Sequence, residues 1–156
     1  MLWNGTPKFD YKSIKRVDSP TGRVYDINEE KLPSVTTILS ATKSEESKAK
    51  LAAWRQREGE KKADEIRDNA AARGTIMHRI LEGYVKGEGN MDLTDLGQEA
   101  GTMAQNIIDK GHFSPLEEVW GLEMPLWYPG LYAGASDVAG IYEGRESIID
   151  FKQSNK

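Results

Sequence analysis

The 156-residue chain contains no cysteine and only two histidines, His78 and His112. Without thiols there are no disulfides, no thiolate zinc sites and no iron–sulfur clusters. Any metal must therefore be held by carboxylate, imidazole or backbone oxygen, and a histidine-rich site is excluded by number. No run of about 18 apolar residues occurs, so no transmembrane helix is expected. Met1-Leu2-Trp3-Asn4-Gly5 lacks the basic-then-apolar form of a signal peptide, which makes the cytoplasm the expected location. Hydrophobic residues make up 38% of the chain, enough to separate it from disordered sequences. The length predicts one domain, 1–156, with room for a core.

A net charge of −4 argues at first against nucleic acid. The distribution modifies this. Residues 1–73 carry 15 Lys/Arg against 12 Asp/Glu, a balance of +3, whereas residues 74–156 carry 6 against 13, a balance of −7. The acidic part suits a carboxylate metal site and the other part suits phosphate contacts. An ordinary solvated surface has the same balance, and charge alone does not choose.

Local signals give the element order. Residues 1–33 read as a β-rich lead-in, with a turn at Ser19-Pro20-Thr21-Gly22 and alternation over Arg23–Ile27. Residues 34–111 read as mainly helical. Ser34 is the expected N-cap of a helix over Val35–Ala41, and Ser44 that of a helix reaching about Glu58. Glu60–Lys86 reads as one long helix or two abutting ones, with Ile66, Ala70, Met77, Leu81 and Tyr84 as its buried stripe. A helix over about Thr94–Lys110 closes at Gly111. Strands are expected at about Leu116–Leu126, Leu131–Tyr142 and Ser147–Phe151, the last belonging to a strand-like run from Arg145.

The last two strands hold the most chemistry. If Glu143 and Gly144 form a two-residue hairpin loop, Tyr142 faces Arg145 and Asp137 falls opposite Asp150. Side-chain alternation puts Lys152 on the face of Asp150 and turns Phe151 away. Two opposed carboxylates repel unless something neutralises them. A divalent cation does so, and hard oxygen ligands suit Mg²⁺ or Mn²⁺. A surface hairpin with scattered charges is the bland alternative.

His78 lies on the long helix, four residues after Gly74 and so on its face. The missing side chain at Gly74 leaves space beside the imidazole for a strand end or a ligand. Imidazole suits Mn²⁺ and other transition metals better than Mg²⁺. A core-edge histidine making one hydrogen bond has the same spacing. Glu82, a further four residues on, is a candidate partner for the free imidazole N–H, or a plain surface glutamate. Glu123, on the strand before the hairpin, is a candidate to reach the same place.

Four segments together carry a resemblance: Leu32-Pro-Ser-Val-Thr36, Arg73-Gly-Thr-Ile-Met-His78 with Glu82, Tyr132-Ala-Gly-Ala-Ser-Asp137, and Ile148-Ile-Asp-Phe-Lys152-Gln-Ser154. In this order and spacing the chain resembles the PD-(D/E)xK nuclease superfamily in its RecB-like exonuclease branch, among the mitochondrial genome-maintenance exonucleases and their phage relatives. The match spans about residues 30–156. It implies an α/β fold with a central mixed β-sheet flanked by helices, the restriction-endonuclease-like core. It also implies a bacterial-host or phage setting, a role in DNA recombination or repair, and metal-dependent hydrolysis of DNA phosphodiesters. Residue by residue, His78, Asp137 and Asp150 match metal ligands, the Phe151 backbone carbonyl a further ligand, and Lys152 the catalytic lysine. No catalytic role carries over to Leu32–Thr36, where Ser34 is read as a helix cap.

The branch usually continues past D-x-K into a helix bearing Gln-x-x-x-Tyr, whereas this chain ends at Lys156. The fold is therefore expected to be incomplete at its C-terminal end, as a truncated, split or degenerate form. A second polypeptide or self-association is the expected remedy, because an open sheet edge invites pairing. For the substrate, Lys48, Lys50, Arg55, Arg57, Lys61 and Lys62 are candidates to follow a phosphate backbone, with Trp54 stacking a base. Solvated charges around a core tryptophan give the same pattern. The leading expectation is an exonuclease on single-stranded DNA or free ends. The others are a nuclease-fold subunit that binds DNA or a partner without cutting, and a sequence-specific endonuclease.

Overall fold

Short loops set most of the strand pairing. The structure is a computed structural model and describes residues 2–153. The chain divides into two compact units: Tyr11–Glu65 with Pro125–Ala135, and Met1–Asp10 with Ile66–Met124 and Ser136–Lys156.

In the first unit, β1 (Lys15–Ser19), β2 (Gly22–Ile27) and β3 (Glu30–Pro33) form an antiparallel sheet in chain order. Ile27 pairs with Glu30 across Asn28-Glu29, both at positive φ (50° and 69°), the mirror-image turn whose twist suits a two-residue hairpin. Tyr25, Ile27, Leu32 and Ala133 form the core of this unit. Helix α1 (Val35–Ala41) starts where the Ser34 hydroxyl accepts from Thr37 N–H at 3.0 Å. Helix α2 (Glu45–Glu58) starts likewise at Ser44, with Glu45 and Glu46 in its first turn, where they meet the positive end of the helix dipole. Neither helix has a buried residue.

In the second unit, α3 (Glu60–Lys86, whose first turns belong to the first unit) and α4 (Asp95–Asp109) pack with the sheet of β4 (Leu116–Tyr128), β5 (Tyr132–Tyr142) and β6 (Arg145–Ile149), the end of β4 from Pro125 and the start of β5 up to Ala135 belonging to the first unit. The core joins Met77, Leu81 and Val85 of α3 to Ala100 and Ala104 of α4. It continues through Leu116, Val119 and Leu122 of β4 to Val138, Phe113 and Phe151. Each fully buried Met, Leu or Val contributes roughly 1.5–3 kcal/mol. Within the second unit the buried stripe of α3 thus runs 77-81-85, with Ala70 half-buried. Ile66 and Tyr84, expected in it, are exposed, because the 3.6-residue period carries Tyr84 to the rim, where its ring leans on Phe113 at 5.1 Å.

The sheet differs from the central mixed sheet expected. β4 connects to β5 through Pro129–Leu131, and β5 to β6 through Glu143-Gly144. Connections this short return the chain antiparallel, since a parallel neighbour needs a crossover of a dozen or more residues. Among the described residues, each named sheet has three strands in chain order, and the parallel contact present is an isolated bridge, Ser34 to Ala133.

Candidate metal centre

Three elements of the second unit bring charged side chains to one place. On α3, Met77 and Leu81 turn inward and fix the rotation that leaves His78 half-buried beside them. On β5, Ser136 and Val138 are buried. Asp137 points to the other face, yet its side chain is only 10% exposed. On β4 the alternation slips: Val119, Gly121 and Leu122 are all buried, and Glu123 follows in a left-handed conformation, φ 51°. Such a slip in a strand re-aims the next side chain, and backbone strain of this kind clusters at functional sites.

His78 Nδ1 lies 3.1 Å from Asp137 Oδ1, and the other Asp137 oxygen accepts from Phe151 N–H at 2.6 Å. Ligand atoms of His78, Glu123 and Asp137 all lie within 4.8 Å of one another. Donors around one ion at about 2.1 Å stand roughly 3–4 Å apart, so the spacing suits a single cation. One imidazole with two carboxylates matches Mn²⁺ well and Mg²⁺ acceptably.

The charges respond to one another. The Asp137 bond raises the His78 pKa above the usual imidazole value, against burial, and a backbone hydrogen bond with Phe151 and the charge of Glu123 add to the rise. Burial pushes the Asp137 carboxyl up, but His78, the Phe151 N–H and a contact with the Asp150 carboxyl outweigh it and leave the pKa lowered. Glu123 is pushed up, first by burial and then by the charges of Asp137 and Glu82. Like charge is thus concentrated here, and a cation would relieve it.

The other expected residues are placed as follows. The register pairs Val138 with Ile149 and Tyr142 with Arg145, and the chain continues so that Asp150 touches Asp137. Asp150 stands outside the three-residue cluster, and its Oδ2 holds Lys152 Nζ at 2.7 Å. Lys152 is 76% exposed. The Phe151 ring is buried against His78 (6.1 Å) and Phe113 (5.7 Å). The carboxylate bonded to His78 is Asp137, not its helical neighbour Glu82, which takes Lys86 Nζ at 2.5 Å one turn along. Spacing on the helix made Glu82 a candidate partner or a plain surface glutamate, and the acid at His78 Nδ1 comes from β5.

The basic candidates lie in the first unit, mostly beside local acids. Lys48 pairs with Glu45, Lys50 with Glu46, Arg57 and Lys62 with Glu58, and Arg55 with Glu60 and Asp64. Lys61 is exposed and Trp54 half-buried. Gln153 was quoted in a motif above and given no role. It reaches α3, where its Oε1 accepts from Arg73 Nε at 3.1 Å and its amide donates to the Ala70 carbonyl.

No family model and no solved structure matches the chain. Two curated proteins do. Mitochondrial genome maintenance exonuclease 1 of Mus musculus is 28% identical over 132 residues, and that of Homo sapiens 25% identical over 137 residues, each covering 80% of this chain. The chain spans 38% and 37% of the length of these relatives. Over most of its length it is therefore similar to an exonuclease family.

Proposed function

We propose that the chain is a PD-(D/E)xK nuclease of the RecB-like branch that hydrolyses DNA phosphodiesters with Mg²⁺ or Mn²⁺, acting on single strands or free ends. The observation that carries the reading is the convergence of His78, Asp137 and Glu123 beside Asp150 and Lys152, in a chain similar to an exonuclease.

His78, Asp137 and Glu123 would hold the ion, with Asp150 and the Phe151 carbonyl next to them. Bound there, a divalent cation supplies Lewis-acid polarisation of the scissile phosphate. The chain supplies the rest. Asp137 is oriented from both sides, by the imidazole and by the Phe151 N–H, so its carboxylate needs little reorganisation. Asp150 steers the exposed Lys152 ammonium, which stabilises the negative charge that grows on the phosphoryl oxygens. In the first unit, Lys48, Lys50, Arg55 and Arg57 of α2 and Lys62 of α3 would exchange local acids for phosphates, Lys61 would add a further cation, and Trp54 offers a stacking face.

The test is incubation with end-labelled linear and with circular single-stranded DNA plus Mn²⁺, with and without EDTA. Digestion of the linear strand alone, abolished by EDTA, is the expected result. Cleavage of circles would point to an endonuclease. Absence of cutting, with DNA still bound, would favour a binding subunit.

A further inference from the structure

β6 ends at Ile149, and residues 150–153 that carry Asp150 and Lys152 belong to no strand. Something else must fix them. Before Lys152, the Phe151 N–H is held by Asp137 and its ring is buried. After it, the Gln153 side chain is held twice by α3, through Arg73 Nε and the Ala70 carbonyl. Gly74 makes the room: a Cβ there would lie 2.7 Å from Gln153 Nε2. Arg73 is in turn tied to Glu99 of α4 at 3.0 Å and is only 17% exposed. The same helix carries His78 one turn beyond Gly74.

We propose that Arg73, Gly74 and Gln153 form a clamp that sets the position of Asp150 and Lys152 relative to the His78 helix, with Gln153 as a positioning residue. An exposed lysine has no packing of its own to place its ammonium. Anchoring the backbone on both sides does so, and a shift of about 1 Å at a reacting group costs on the order of 100-fold in rate. The catalytic part of the inference rests on the nuclease reading; the structural part does not.

Gln153→Ala removes the clamp directly. Gly74→Ala displaces the Gln153 amide while improving helix propensity, so it separates positioning from stability. The measurements are amide hydrogen exchange over residues 150–153 in the metal-free protein, thermal midpoint, and kcat and KM for Mn²⁺-dependent cleavage of linear single-stranded DNA. Expected in both variants are exchange at the Phe151 amide, held by Asp137, faster by about tenfold and kcat lower by about 10- to 100-fold. KM should change little, and Gly74→Ala should leave the thermal midpoint unchanged or raised. Unchanged exchange over residues 150–153 in both variants would overturn the clamp. A wild-type protein that cuts no DNA would remove the nuclease reading, and the exchange result would then decide the clamp alone.

Discussion

His78 and Asp137 are 59 positions apart in the chain, yet Nδ1 of one and Oδ1 of the other stand 3.1 Å apart. With its second oxygen on the Phe151 N–H, this one carboxylate joins α3, β5 and the segment after β6. Asp137→Ala should leave an imidazole and a backbone N–H without their acceptor, at a cost of about 1–3 kcal/mol. Urea unfolding of the metal-free protein measures it; an unchanged midpoint would show that the bond contributes nothing.

Metal affinity should depend on pH in a defined direction. A cation competes with the proton for the imidazole, and the His78 pKa is raised above 6.5 by Asp137. Protonated His78 therefore persists to a higher pH than an isolated imidazole would. Apparent Mn²⁺ affinity should fall as pH drops through that raised value, by up to about tenfold per unit below it. In His78→Gln this fall should be lost. Calorimetric titration between pH 6 and 9, ranges chosen around the ~6.5 reference, shows whether the dependence is there.

Ser34 is a structural residue on this account. It is buried, caps α1 through Thr37 N–H, and shares hydroxyl contacts with Thr36 and Thr37 at 2.9 Å each. Ser34→Ala should destabilise the protein by about 1–2 kcal/mol while kcat for DNA cleavage stays within about twofold. A large fall in kcat without loss of stability would give Ser34 a place in the chemistry.

The Lys48–Glu45 and Lys50–Glu46 ion pairs of α2 are exposed and worth about 0–1 kcal/mol each, so phosphates can replace these acids cheaply. Affinity for a single strand should then fall steeply with salt, with a slope of about −0.7 per phosphate contacted. Lys48→Ala combined with Lys50→Ala should flatten that slope. A salt response unchanged by the double variant would place the strand elsewhere.

The legible parts of the chain were those set by local chemistry. Ser34 and Ser44 marked helix starts because a hydroxyl before an apolar-periodic run satisfies the first free N–H groups. Glu143-Gly144 fixed the register that brings Asp137 to Asp150, because a two-residue loop leaves the ladder no freedom. Glu123 was harder to place: its entry into the cluster depends on a left-handed backbone after a slip in β4, and the consecutive pair Gly121-Leu122 was its faint signal. Glu82 was a candidate partner of His78 or a plain surface glutamate; it takes Lys86 while the imidazole Nδ1 meets Asp137, and helical spacing is visible in a sequence where a strand crossing the helix is not. The role of Gln153 was invisible for the same reason. The sheet was expected to be mixed, whereas its short connections, readable at Glu143-Gly144, already demanded antiparallel neighbours.

The most direct test of the central claim is Mn²⁺ binding followed by the electron paramagnetic resonance of the free ion, in the wild type and in His78→Ala, Asp137→Asn and Glu123→Gln. The account predicts a site in the wild type and, in each folded variant, affinity weaker by about 10- to 100-fold or more. Equal affinity in all four proteins would contradict it.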